Sequence, residues 1–228
     1  YNFQREYNVI KARQYYNPDA PISFCFDFNV SPGTASVVQE IGGDIFDLPA
    51  GQTVTAVIGE VYIHRLSNTV RVCKKLVEDW NQHKGLVLCY GDATGGSRGT
   101  AKIRGTDWDL IKQVLDRKFG SRLYFRVPRS NPRERQRINA VNSRLQSYSG
   151  DIRLVVDGEH CPWTIRDFEG TRVIEGSAGE IDKSTDPMLS HLTDGIGYYV
   201  HREYPVGRYY TAADIRAMEE EELKREAA

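Results

Sequence analysis

The sequence predicts one α/β domain in which strands and helices interleave, with a hairpin added to the sheet. Two strand-length apolar runs, Ile22–Phe28 and Leu86–Tyr90, each carry an acid at or just past the carboxyl end. Capped amphipathic helices fall between strand candidates rather than in a separate block, which is the order of a layered α/β domain. The 228 residues suffice for one substantial core, and a composition 40% hydrophobic and 27% charged excludes a wholly disordered chain, a collagen or a coiled-coil rod.

Taken in order, residues 1–20 are polar and aromatic and read as an irregular lead-in or linker remnant. Ile22-Ser23-Phe24-Cys25-Phe26-Asp27-Phe28 is nearly continuous in its apolar character, as a central strand covered on both faces should be. Thr34–Gln39 resumes a strand, and residues 42–52 read as a loop. Val54–His64 and Thr69–Cys73 flank Arg65-Leu66-Ser67-Asn68, which suggests the hairpin. Leu76–His83 is a short helix, followed by a buried strand over Leu86–Tyr90 and the pliant Ala93-Thr94-Gly95-Gly96-Ser97.

Thr106 and Asp109 have capping-box spacing ahead of Trp108, Ile111, Val114 and Leu115, and Gly120 is a natural stop, so a helix spans Asp107–Phe119. Leu123–Val127 reads as a strand. Asn131 is a candidate cap, Pro132 suits a first helical position, and Ile138, Val141 and Leu145 recur on one helical face. Ile152–Val156 is a further strand, Trp163–Phe168 is compatible with helix, and a last core helix over Pro187–His201 has Met188, Leu192, Ile196 and Tyr199 inward. The main domain is thus expected over 21–202, with 203–228 a carboxyl-terminal extension whose Glu219-Glu220-Glu221-Glu222 run suits a solvated helix.

Charge is nearly balanced, 30 basic against 31 acidic residues, so the sum does not advertise a polyanionic partner. Its distribution does more. Between Arg122 and Arg144 lie seven arginines, Arg129, Arg133, Arg135 and Arg137 among them, against the single acid Glu134. Arg98, Lys102 and Arg104 follow the glycine-rich loop, and Lys183 stands in a late acidic segment. Such groups suit backbone phosphates irrespective of base, although a merely solvated cluster has the same composition. Cys25, Cys73, Cys89 and Cys161 lack the short paired spacing of a zinc site and read as buried thiols. No run approaches the roughly 18 apolar residues of a membrane span, and the amino end lacks the order of a secretory signal, so a cytoplasmic location is the default expectation.

Three acids stand out by setting: Asp27 and Asp92 near the ends of two core strands, and Asp194 on the late amphipathic helix. If that helix packs against those strands, the carboxylates converge on an oxygen-rich site suited to Mg2+ or Mn2+. Two such ions can activate water and stabilise a leaving oxygen in phosphodiester hydrolysis. Glu60 interrupts a strand and either helps ligate a second ion or faces solvent. Asp182 and Asp186 are accessory acids or turn formers. His191, three residues before Asp194, orients a phosphate or a metal-bound water, or packs as a polar core residue.

At these residues the chain resembles the carboxyl-terminal nuclease domain of the large terminase subunit of tailed double-stranded DNA bacteriophages, over most of 20–202. Phe24-Cys25-Phe26-Asp27-Phe28-Asn29 is similar to the family's first acidic strand, and Leu88-Cys89-Tyr90-Gly91-Asp92-Ala93-Thr94-Gly95-Gly96 to its second. Asp182-Lys183-Ser184-Thr185-Asp186-Pro187 with His191-Leu192-Thr193-Asp194-Gly195-Ile196-Gly197-Tyr198-Tyr199 is similar to the third acidic region and closing helix. The resemblance implies an RNase H-like fold with a mixed five-stranded central sheet and metal-dependent cutting of concatemeric viral DNA in the host cytoplasm at packaging initiation and termination. It implies metal-ligand roles for Asp27, Asp92 and Asp194, with Glu60, Asp186, Lys183 and His191 in support.

The sequence contains no Gly-x-x-x-x-Gly-Lys-Ser/Thr phosphate loop. It therefore reads as an isolated, monomeric nuclease module, whose expected partners are double-stranded DNA, a packaging ATPase domain, the small terminase subunit and the portal. The alternatives are a junction-resolving or RNase H-type nuclease and a noncatalytic nucleic-acid-binding packaging module; a general metabolic hydrolase ranks below them.

Overall fold

The computed structural model describes residues 1–28, 31–96, 106–174, 176–177, 180–182 and 184–206. Its strands are β1 (Val9–Ile10), β2 (Ile22–Asp27), β3 (Gly33–Gly42), β4 (Thr53–Ile63), β5 (Val87–Gly91), β6 (Leu123–Phe125) and β7 (Leu154–Asp157). Its α-helices are α1 (Arg5–Asn8), α2 (Thr69–Asp79), α3 (Asp107–Phe119), α4 (Glu134–Leu145), α5 (Pro162–Gly170) and α6 (His191–Glu203). The strands form one sheet in the order β1-β7-β4-β3-β2-β5-β6. Strands β2, β3 and β4 are an antiparallel meander, and β5 then β6 add in parallel on the other side of β2. That five-strand unit is the RNase H-like arrangement. Strands β7 and β1 extend it in parallel beyond β4.

The β2 run is nearly continuous in its apolar character because helices cover both faces. Ile22, Phe24 and Phe26 point to one side, where Val72, Leu76 and Trp80 of the α2 region and Ile111, Leu115 and Phe119 of α3 complete a buried layer. Cys25 points to the other, among Val141, Leu145, Ile165, Phe168, Ile196 and Val200 from α4, α5 and α6. By alternation Asp27 lies on the Cys25 side, beneath α6. All four cysteines are buried and free.

The hairpin lies elsewhere than expected. Val54–Ile63 belongs to β4, whose hairpin partner is β3 across residues 43–52, while Thr69–Cys73 opens α2. The β-branched Thr69, Val70 and Val72 imitate a strand locally. Asn68 decides otherwise: its side chain accepts from the Arg71 amide at 2.9 Å, and buried Val72, Cys73 and Leu76 then form a helical stripe.

The amino-terminal segment is likewise no irregular lead-in. Strand β1 pairs with β7, Ala12 is fully buried, and buried Asn8 donates to the Leu145 and Leu154 carbonyls at 3.0 and 2.9 Å. Those bonds satisfy ends that a packed edge would otherwise leave unpaired. The carboxyl-terminal helix expected around the Glu219-Glu220-Glu221-Glu222 run lies outside the described residues. Among the described residues no helix is long and apolar enough to cross a membrane.

Candidate active site

Strands β2 and β5 run parallel with Phe26 opposite Gly91, so Asp27 and Asp92 leave the same edge of neighbouring strands, about 4.8 Å apart in the sheet. Helix α6 crosses above. Gly195 permits its close approach, since a Cβ there would stand 3.0 Å from the Cys25 carbonyl oxygen. The preceding residue, Asp194, is thereby carried to the ends of the two strands. The amino end of α6 is held by a group the sequence did not advertise: buried Asp167 on α5 accepts from the Leu192 and Thr193 amides at 2.8 and 3.4 Å.

Each aspartate has a distinct partner. Asp27 Oδ2 meets His191 Nδ1 at 2.9 Å, while His191 Nε2 meets the Pro187 carbonyl at 2.8 Å. Two acceptors around one ring call for two donors, the imidazolium form. Burial alone would depress the His191 pKa, but the bonds to Asp27 and Pro187 outweigh it and the net shift is upward. Asp194 Oδ1 accepts from Arg137 Nη1 at 2.9 Å, and both residues are buried. Asp92 Oδ1 accepts from Asn131 Nδ2 at 2.6 Å and from the Thr94 amide at 2.5 Å, and Asn131 Oδ1 accepts from the Ala93 amide at 2.8 Å. Asn131 is therefore not the cap of α4, which begins at Glu134; it clamps the Asp92 turn.

Tyr198 lies against this site, its ring centroid 4.3 Å from the Arg137 guanidinium that pairs with Asp194. Burial raises the pKa of its hydroxyl, Arg137 lowers it, and Asp92, Asp194 and Asp27 each raise it. The all-oxygen chemistry of the three carboxylates fits a hard divalent cation. Among the described residues, however, no three His, Cys, Asp or Glu side chains stand close enough to hold a metal as they are placed. The carboxylates instead face cationic or amide donors whose place a cation could take.

The other sequence candidates separate from this trio. Glu60 is engaged elsewhere: its partly exposed carboxylate accepts from the Trp163 and Thr164 amides at 2.8 and 2.7 Å and from Thr164 Oγ1 at 2.7 Å, capping α5. Burial pushes its pKa up against those bonds. Asp186 accepts from the Met188 amide at 2.9 Å and pairs with Arg166 at 3.1 Å. Asp182 ties the Ser184–Thr185 turn, whose donors hold its pKa well down. Arg129, Arg133 and Arg135 are exposed, but Arg137 is not on that outward track; it is buried against Asp194 with its guanidinium 4.3 Å from the Tyr198 ring centroid. Arg98, Lys102, Arg104 and Lys183 lie outside the described residues. Asn131, Asp167 and Tyr198 went unread as site residues because none carries a motif; only their tertiary partners reveal them.

No family model matches the chain, and no curated protein matches it. Solved structures similar to it include a phage terminase domain and a poxvirus resolvase. The large terminase nuclease domain of bacteriophage SPP1, crystallised with bound Mn, is 13% identical, with 89% of this chain and 97% of that one covered at a TM-score of 0.49. The fowlpox virus Holliday junction resolvase is 10% identical, with 79% and 99% covered at a TM-score of 0.39. At values this low the functional reading rests on the residues of the site themselves.

Proposed function

We propose that this chain is a metal-dependent endonuclease that hydrolyses phosphodiester bonds in double-stranded DNA, and that its task is to cut concatemeric viral DNA at packaging initiation and termination. The placement of Asp27 and Asp92 on adjacent strand ends, with Asp194 carried over them by α6, is the observation that supports the reading most strongly. The ordered resemblance of its three acidic segments to the large-terminase nuclease supports the packaging role. A packaging ATPase domain, the small terminase subunit and the portal would then be its partners in the host cytoplasm.

Asp27, Asp92 and Asp194 would hold Mg2+ or Mn2+, in our reading two ions, which supply a nucleophile at neutral pH and charge stabilisation for the leaving oxygen. The chain's own residues do the rest. Asn131 and the Thr94 amide orient the Asp92 carboxylate. His191 holds a proton against Asp27, and its second nitrogen, tied to Pro187, fixes the ring. Arg137 neutralises Asp194 and keeps it from repelling the other two acids.

Supercoiled plasmid cleavage with Mg2+ or Mn2+, against EDTA, Asp27→Asn and Asp92→Asn controls, tests the proposal. Metal-dependent nicking or linearisation that both folded variants lose is the expected result. A folded protein that binds DNA yet cuts under neither metal would overturn autonomous nuclease activity in favour of a binding module. Preferential cutting of four-way junctions would favour the junction-resolving alternative.

A further inference from the structure

Next to Asn131, the partner of Asp92, is a hollow of about 520 Å³ between residues 128–136 and the last turns of α6. Its polar lining includes Asn131, Arg133, Gln136, Tyr198, His201 and Arg202, and three prolines are in its wall. No carboxylate is among the described lining residues, although the chain as a whole carries as many acids as bases to within one residue. Arg133 and Arg202 are exposed, and the carboxylate of Glu203 reaches Arg202 only at 4.0 Å.

Two of the lining residues belong to the acidic site as well. Asn131 donates to Asp92, and the Tyr198 ring centroid lies 4.3 Å from the guanidinium of Arg137, the partner of Asp194. The hollow therefore adjoins the acidic site through the direct partners of Asp92 and Asp194. A larger cleft of about 690 Å³ lies beside Tyr62 and Trp163, but there Glu60, Glu78 and Glu159 alternate with Arg71, Lys74 and Lys75, so it has no net preference for an anion.

We propose that the hollow lined by Arg133, His201 and Arg202 is a nucleotide subsite, taking the sugar and phosphate next to the scissile bond on the strand being cut. This rests on the nuclease reading above. Its volume falls in the range that accommodates one small ligand, and its two arginines suit a phosphate, which a guanidinium binds in bidentate fashion. The prolines and the Tyr198 ring offer apolar surface to the sugar. Burial, then Arg137, lowers the His201 pKa, which leaves a neutral ring able both to donate and to accept a hydrogen bond. Arg133 and Arg202 are positioning residues here, since they hold the strand and not the reacting atoms.

The probe is a 5′-phosphorylated thymidine dinucleotide, titrated in EDTA and followed by amide and side-chain NMR shifts. Saturable shifts at Asn131, Tyr198 and Arg202 are expected, weakened at least tenfold in Arg133→Gln/Arg202→Gln. The exposed pair on α3 changed in the same sense, Lys112→Gln/Lys118→Gln, controls for net charge and should bind as wild type. For a DNA duplex, the slope of log affinity against log salt should fall by about 2, about 1 for each arginine removed. In plasmid cleavage the arginine variant should raise KM with kcat little changed. Equal dinucleotide binding by wild type and arginine variant, or no binding by either, would overturn the subsite. The two readings fail separately: binding at the hollow by a protein that cuts under no metal leaves the subsite and removes the nuclease, whereas cleavage with an unchanged KM in the arginine variant does the reverse.

Discussion

Arg137 and Asp194 form an ion pair inside the protein, Nη1 to Oδ1 at 2.9 Å, with only 9% and 5% of their side chains exposed. It joins α4 to α6 and so fixes the helix that brings the third acid over the sheet. Removing one partner of a buried pair leaves the other charge uncompensated, at a cost on the order of 3 kcal/mol. Arg137→Met should therefore lower unfolding stability by about that much in urea denaturation, and Arg137→Met/Asp194→Leu should recover a substantial part. A single variant within about 0.5 kcal/mol of wild type, the size of an ordinary surface change, would contradict this account.

Asp167 gives the pH prediction. Burial pushes its carboxyl up to about 7, against the Leu192 and Thr193 amides and nearby His191, which all favour the charged form. In the unfolded chain an aspartate titrates near 3.9. Between about pH 4 and pH 7 the folded protein thus holds a proton that the unfolded chain has lost, so this group's contribution to stability falls as pH rises through that window and is level above it. Asp167→Asn cannot titrate. The stability difference between wild type and Asp167→Asn, measured by urea denaturation at steps from pH 4 to pH 8, should move against wild type up to about pH 7. A pH-independent difference would refute the assignment.

Gly195 sets two effects in opposition. Alanine is the better helix former by about 1 kcal/mol, yet its Cβ would press on the Cys25 carbonyl at 3.0 Å. Overpacking of this kind typically costs about 1–3 kcal/mol, and the strand backbone gives little. Gly195→Ala should be net destabilising by about 1 kcal/mol and should lower cleavage by moving Asp194. A gain in thermal midpoint would show that α6 has room to spare.

Asn131 holds Asp92 from one side and the Ala93 amide from the other. Loss of a residue that orients a ligand commonly costs about 10- to 100-fold in metal affinity or activity. Asn131→Ala should retain its fold by circular dichroism while weakening Mn2+ binding by that factor in calorimetry. Unaltered Mn2+ affinity would remove Asn131 from the site.

Glu60 is a stability residue in this arrangement. Three donors from α5 converge on its carboxylate, and Glu60→Ala would leave two amides and a hydroxyl buried beside an apolar methyl. The expected loss is about 1–3 kcal/mol, with Glu60→Gln losing less because one acceptor oxygen remains. Equal stability of Glu60→Ala and wild type in urea would show that solvent satisfies the end of α5.

The sequence by itself determined the alternation of strands and helices, the two strands that end in Asp27 and Asp92, and the helix from Asp107 to Phe119 with its cap. These are local properties: periodicity, β-branching and capping chemistry act within a few residues and leave a readable pattern. Tertiary structure alone decided the rest. The Val54–Ile63 strand could have paired forward or back, and burial against β3 chose back; the Thr69–Cys73 segment became helix through the Asn68 cap and the core beneath it. Arg135 and Arg137 stand two residues apart on α4 and look alike in sequence, yet that spacing puts them on opposite faces of the helix, which buries Arg137 against Asp194 and leaves Arg135 in solvent. Glu60, Asn131 and Asp167 exchanged the roles their types suggested because each lies opposite the backbone donors of an element distant in sequence. A charge or an amide takes its role from the partner that burial leaves it, and that partner is fixed only when the chain has folded.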